Sequence, residues 1–107
     1  MKVYNASIFL YLNGKGIKNS NKGYIFLVDA IRLGAESEDA LKRVTDLYTV
    51  IAMSYGILPQ NVERGIRYAI SGLGVTNKEF ISKAVSDITK DYALTGAIHK
   101  KISKKPN

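Results

Sequence analysis

An all-α fold, a compact bundle of about six helices containing a helix-turn-helix, is predicted by three features of this sequence. The stretch from Ile51 to Ile70 holds two apolar helical segments on either side of a small-residue turn and a proline. Apolar residues recur at the 3.6-residue period in the segments that begin at Tyr24 and at Phe80. A chain of 107 residues, 46% hydrophobic, suits one domain with one modest core.

In chain order, residues 2 to 13 carry Val3, Ala6, Ile8, Phe9, Leu10, Tyr11 and Leu12 before Asn13-Gly14-Lys15-Gly16 stops the element. Ile8 to Leu12 and Tyr24 to Val28 are also β-prone, so a two-stranded ribbon is the competing reading. Helix is preferred because Tyr24, Leu27, Val28 and Ile31 carry the helical period past the length of a typical strand. The loop Gly14 to Lys18 lacks the spacing and the Lys-Ser/Thr ending of a phosphate-cradling loop, and reads as a turn with solvated lysines. Gly34 is expected to close the second helix. Ser37 is expected to cap a third, with Glu38 and Asp39 in its first turn. Ala40, Leu41, Val44, Leu47, Tyr48 and Ile51 keep one apolar face, on one long helix or on two short ones.

Gly56 then suits the C′ position, where a positive φ turns the chain away, and Pro59 suits N1, where its missing N–H costs nothing. The helix that follows, about Pro59 to Ser71, buries Val62, Ile66, Ala69, Ile70 and Leu73, and Gly72, Gly74 and Val75 end it. In the last helix, Thr76 and Glu79 form a capping box and Val75 can staple onto Phe80. Phe80, Ile81, Ala84, Val85, Ile88 and Tyr92 make its core stripe. The domain is taken as residues 1–96, with a basic tail at 97–107.

Net charge is +7, and its placement is informative. Residues 1–22 hold four lysines and residues 97–107 four more, with no acid in either, while the middle of the chain is nearly balanced. Lysines concentrated near both ends suit a polyanion-binding surface, and solubility alone is the plainer explanation. With no Cys and a single His at position 99, thiolate metal sites, disulfides and Ser-His or Cys-His catalysis are largely excluded. The longest uninterrupted apolar runs have five residues, so no membrane span is expected, and the chain reads as soluble and cytoplasmic. No cofactor is expected, and no nucleophile is paired with a base as an enzyme would need.

On the second helix of the motif, Gln60, Arg64, Arg67 and Ser71 fall at i, i+4, i+7 and i+11, opposite the apolar seam. The planar fork of an arginine matches the O6 and N7 acceptors of guanine, so such a ridge suits a helix laid in a major groove. The plainer alternative is a solvated face on which Glu63 and Arg67 form an ordinary i, i+4 pair.

These residues also carry a family likeness. Val62 to Ile70, V-E-R-G-I-R-Y-A-I, resembles the recognition-helix motif V-E-R-A-I-R-H-A-I of the DNA-binding effector domain of the master sporulation response regulator of endospore-forming bacteria. Lys22 to Ile31 resembles the family's K-G-Y-x-Y-L-x-x-A-I, Leu47 to Ala52 its L-Y-P-x-I-A, and Thr76 to Ile81 its T-N-x-E-F-I, all in the family's order. The chain departs from the pattern in places. Thr49 stands where the family usually has Pro, Asn61 replaces an Arg and Tyr68 a His, the loop after the first helix is longer, and most of the connector before the last helix is missing.

What the resemblance implies is a sequence-specific duplex DNA-binding transcriptional regulator. Base contacts are assigned to Gln60, Asn61, Glu63, Arg64, Arg67 and Tyr68, with Arg64 foremost and Glu63 accepting from cytosine or orienting an arginine. Backbone contacts are assigned to Lys22, Ser71, Lys100 and Lys101. The partner is double-stranded DNA, with a homodimer or cooperative pairing on tandem sites as the way to useful affinity. The family's receiver domain is not among these residues, as in an excised fragment or a free-standing relative. The alternative is a protein-interaction module that pairs with or antagonises a related regulator without touching DNA; an RNA-binding role is weaker, since no aromatic stacking platform is evident.

Overall fold

A computed structural model describes residues 2–103, with side chains described for residues 2–37 and 39–91. Among the described residues it is all-helical, with five α-helices and two short 3-10 turns. Helix α1 spans Asn5–Gly14, α2 Lys22–Glu36, α3 Val44–Tyr55, α4 Pro59–Ala69 and α5 Asn77–Ser103. No helix among the described residues is long and apolar enough to cross a membrane.

Helix α2 is the centre of the bundle and touches each of the other four. The Asn21 side chain caps it, accepting from the Gly23 N–H at 2.9 Å. Leu27, Val28, Ala30 and Ile31 are essentially inaccessible, which is the helical period expected from the sequence and leaves no ribbon. Around this axis Ile8 and Leu12 of α1, Ile51 of α3, Ile66 of α4 and Ile81 of α5 close a single aliphatic core. The loop after α1 is a helix stop: Ile17 N–H returns to the Leu12 carbonyl and Gly16 N–H to the Asn13 carbonyl, while Lys15 and Lys18 are exposed. Tyr11 of α1 donates to Asp87 of α5 at 2.8 Å, tying the first helix to the last.

Three sequence expectations need correction. Gly34 does not close α2, which continues to Glu36. It is buried instead, because a Cβ there would come within 2.7 Å of Leu41 and 3.1 Å of Val85. Ser37 does not cap an α-helix: Glu38–Leu41 is one 3-10 turn without a side-chain cap, and Arg43, whose backbone is not helical, separates it from α3. Leu73 does not pack inward, because α4 ends at Ala69 and Leu73 lies 42% exposed in the 3-10 turn Ser71–Leu73.

The start of α5 follows the expected capping box. Glu79 N–H donates to the Thr76 hydroxyl at 3.1 Å, and Thr76 N–H to the Glu79 carboxylate at 3.0 Å, which holds that carboxyl below its ordinary pKa. Phe80, Ile81, Ala84, Val85 and Ile88 are buried; Tyr92 lies outside the described side chains. Helix α5 is continuous through Gly96.

Candidate nucleic-acid interface

The turn between α3 and α4 is built as its residues demand. Gly56 sits at φ 65° and ψ 35°, the left-handed region that a Cβ disfavours. The Ile57 N–H returns to the Ala52 carbonyl at 3.0 Å and the Gly56 N–H to Met53, so two of the carbonyls in the last turn of α3 are satisfied. Leu58 is extended and Pro59 occupies the first turn of α4, where no N–H is missed.

Three contacts fix α4 from behind. Val62, Ile66 and Ile70 are sealed in the core. Gly65 lies against Gly23 of α2 so closely that a Cβ on Gly23 would overlap the Gly65 carbonyl. From the start of α5, the buried Asn77 donates through Nδ2 to the Tyr48 hydroxyl of α3 at 3.0 Å and to the Glu63 carbonyl of α4 at 3.1 Å. One amide thus joins both helices of the motif to α5. Asn77→Ala should therefore lower unfolding free energy by about 1–2 kcal/mol, the cost of polar groups left without their partner, checked by urea denaturation.

Helix α3 is in turn tied to α2. Tyr55 donates to Asp29 at 2.7 Å, its ring meets Phe26 edge-on at 5.5 Å, and Asp29 also pairs with Arg32 at 3.1 Å. The hydrogen bond to Asp29, and then burial, push the Tyr55 phenol up to about 12. Its neutral form is the one the fold holds, so this contribution is complete below pH 10 and is lost as pH rises from 10 through about 12. The stability gap between the protein and Tyr55→Phe should narrow over that interval; chemical denaturation at about pH 9 and about pH 11.5 measures it.

The opposite side of α4 is uncovered. Gln60, Asn61, Arg64, Arg67 and Tyr68 are all exposed, Tyr68 at 75%. Ser71 is exposed as well, but in the 3-10 turn beyond the helix, since α4 stops two residues short of the expected end. Arg67 Nε lies 3.5 Å from Glu63 Oε1, the i, i+4 pair foreseen as the plainer reading, and it leaves the Arg67 side chain 65% exposed. No hydrogen bond or ion pair engages the Arg64 side chain among the described residues. Lys22, the first residue of α2, stands across a cleft from Asn61, Arg64 and Tyr68. The side chains of Lys100 and Lys101 lie outside the described residues.

The structure thus gathers Lys22 with the α4 residues, a juxtaposition that spacing alone does not give. Of the residues that hold α4 in place, the aliphatic seam of Val62, Ile66 and Ile70 was legible from helical spacing, whereas Gly23 and Asn77 were not. Gly23 and Asn77 sit in ordinary capping contexts, and the only available signal was that both fall in blocks matching the family.

Two helices joined by a tight turn, the second carrying an exposed basic ridge, define a protein of the helix-turn-helix class. Residues 8–79, more than half of the chain, match the model of the family described as Sporulation initiation factor Spo0A C terminal. The chain belongs to that family, the DNA-binding effector domains of sporulation regulators. No curated protein and no solved structure matches it.

Proposed function

We propose that this domain binds duplex DNA sequence-specifically and regulates transcription, with α4 in a major groove. The observation that carries the reading is the uncovered ridge of Gln60, Asn61, Arg64 and Arg67 on a helix anchored from behind by buried aliphatic residues. An 11-residue helix is about 16 Å long, enough to lie in a major groove with its side chains at base edges. Arg64, uncommitted within the fold, is the principal base-reading residue. Arg67, steadied by Glu63, reads a base or holds an adjacent phosphate. Gln60, Asn61 and Tyr68 extend the ridge along the groove. Lys22 and Ser71, with Lys100 and Lys101, bind the sugar-phosphate strand. A single small module covers little DNA, so pairing on tandem sites supplies the remaining affinity.

Selection of bound fragments from a random DNA pool tests the reading directly: a recurrent short motif is expected, and recovery without enrichment overturns it. A gel shift at low salt separates the rival interaction module, because a DNA-binding domain of this charge retards random duplex and a purely protein-binding one does not. Exchanging Lys100 and Lys101 for alanine should weaken binding to all sequences alike and reduce the slope of log K against log salt by about 0.9 for each phosphate that is no longer neutralised. An unchanged slope removes these two lysines from the interface.

A further inference from the structure

Between α2 and α4 runs an open cleft of about 690 Å³, lined by residues of both helices. One lip is Asn61, Arg64 and Tyr68 of α4, and Lys22 stands on the other. The apolar lining of the cleft comes from Phe26 and Ile57, with Gly65 beside the Phe26 ring. Because Gly65 has no Cβ, the Phe26 ring lies directly against α4; a Cβ there would stand 3.0 and 3.1 Å from two of its ring carbons. An apolar lining between two cationic lips, beside a base-reading helix, calls for a ligand that is apolar at one point and anionic next to it.

Duplex DNA offers one such combination on its major-groove edge. The thymine 5-methyl is the apolar group that a base presents there, and the C5 position of a pyrimidine lies on the side of the groove nearest its own sugar-phosphate strand. We infer that the α2–α4 cleft is a thymine-methyl subsite, with Phe26 and Gly65 receiving the methyl and Lys22 meeting a phosphate of the same strand. The inference rests on the DNA-binding reading and adds to it a preference for a thymine next to the base read by Arg64. An apolar protein side chain would fit the lining equally well but would leave Lys22 and Arg64 without an anionic partner.

A uracil scan tests it. Each thymine of a duplex selected from the random pool is replaced in turn by uracil, which removes only the methyl. One position beside the Arg64-read base is expected to lose affinity roughly three- to fivefold, the worth of one buried methyl. 5-Bromouracil at that position should restore the affinity and, on irradiation, cross-link to Phe26 or Tyr68, mapped by mass spectrometry. Gly65→Ala fills the cleft beside the Phe26 ring and should abolish the uracil penalty; the cross-link, made with the unaltered protein, decides if that variant does not fold. Equal affinity at every uracil-substituted position, while the selected duplex still outcompetes random DNA, would overturn the subsite and leave the DNA-binding reading standing. A selected motif with no thymine beside the Arg64-read base overturns it too, and failure to prefer any duplex removes both.

Discussion

Arg64→Ala is expected to lower affinity for the selected duplex by about 1–3 kcal/mol, a loss of roughly 5- to 150-fold, while binding to random duplex changes little. The size follows from where the side chain stands. Arg64 is exposed on α4 and its side chain makes no hydrogen bond or ion pair among the described residues, so its removal leaves no buried group unpaired and the fold intact. The variant gives up a planar pair of donors already aimed outward, which matter only where a guanine edge was their acceptor. Arg67 is the internal comparison. It is held at 3.5 Å from Glu63, so on free protein part of its charge is already compensated, and Arg67→Ala should cost less. Titrations of both variants on both duplexes, at one salt concentration, decide the matter. Equal losses for Arg64→Ala on selected and random DNA would make it a phosphate clamp and not a reader.

Local chemistry made the helix-turn-helix legible. A glycine that can take φ 65° and a proline suited to N1 each determine their own backbone, and the exposed ridge follows from helical spacing once α4 is granted. The capping box of α5 was visible for the same reason: Thr76 and Glu79 satisfy each other within one helical turn. Where a residue's role depends on a distant element, sequence spacing misled. Gly34 reads as a helix terminator but is a packing notch for Leu41 and Val85, and nothing near it in sequence announces either neighbour. Ser37 reads as a cap, yet the chain from Glu38 to Leu41 tightens into a 3-10 turn as Leu41 settles on that notch. The α2–α4 cleft is the largest omission at the site. Its two sides come from helices far apart in sequence, and its depth depends on the absence of a side chain at Gly65.

Gly23→Ala is the substitution expected to harm this domain most. A methyl at position 23 would overlap the carbonyl of Gly65, and a backbone carbonyl inside a helix cannot rotate aside as a side chain can. Relief requires α4 to move away from α2. That motion would strain the hydrogen bond from Asn77 to the Glu63 carbonyl and loosen the packing of Val62 and Ile66. Overpacking a core ordinarily costs about 1–3 kcal/mol; with backbone as the obstacle, a loss of about 3 kcal/mol or more is expected. For a domain of this size that lowers the melting temperature by at least about 12 °C. Gly65→Ala, whose new methyl presses on the Phe26 ring and meets the Gly23 Cα only at an ordinary 3.6 Å, should cost less, because an aromatic side chain lining a cleft can yield by a few tenths of an ångström. The order of the two variants in thermal melts, with Gly23→Ala well below Gly65→Ala, therefore tests whether contact between helix backbones sets the position of α4. Where Gly23→Ala remains folded, its affinity for the selected duplex should fall more than for random DNA, since a displaced α4 still offers charge but no longer presents Arg64 in register with its base. Melting curves that coincide with those of the unaltered protein would show that α2 and α4 stand further apart in solution than the Gly23–Gly65 contact requires.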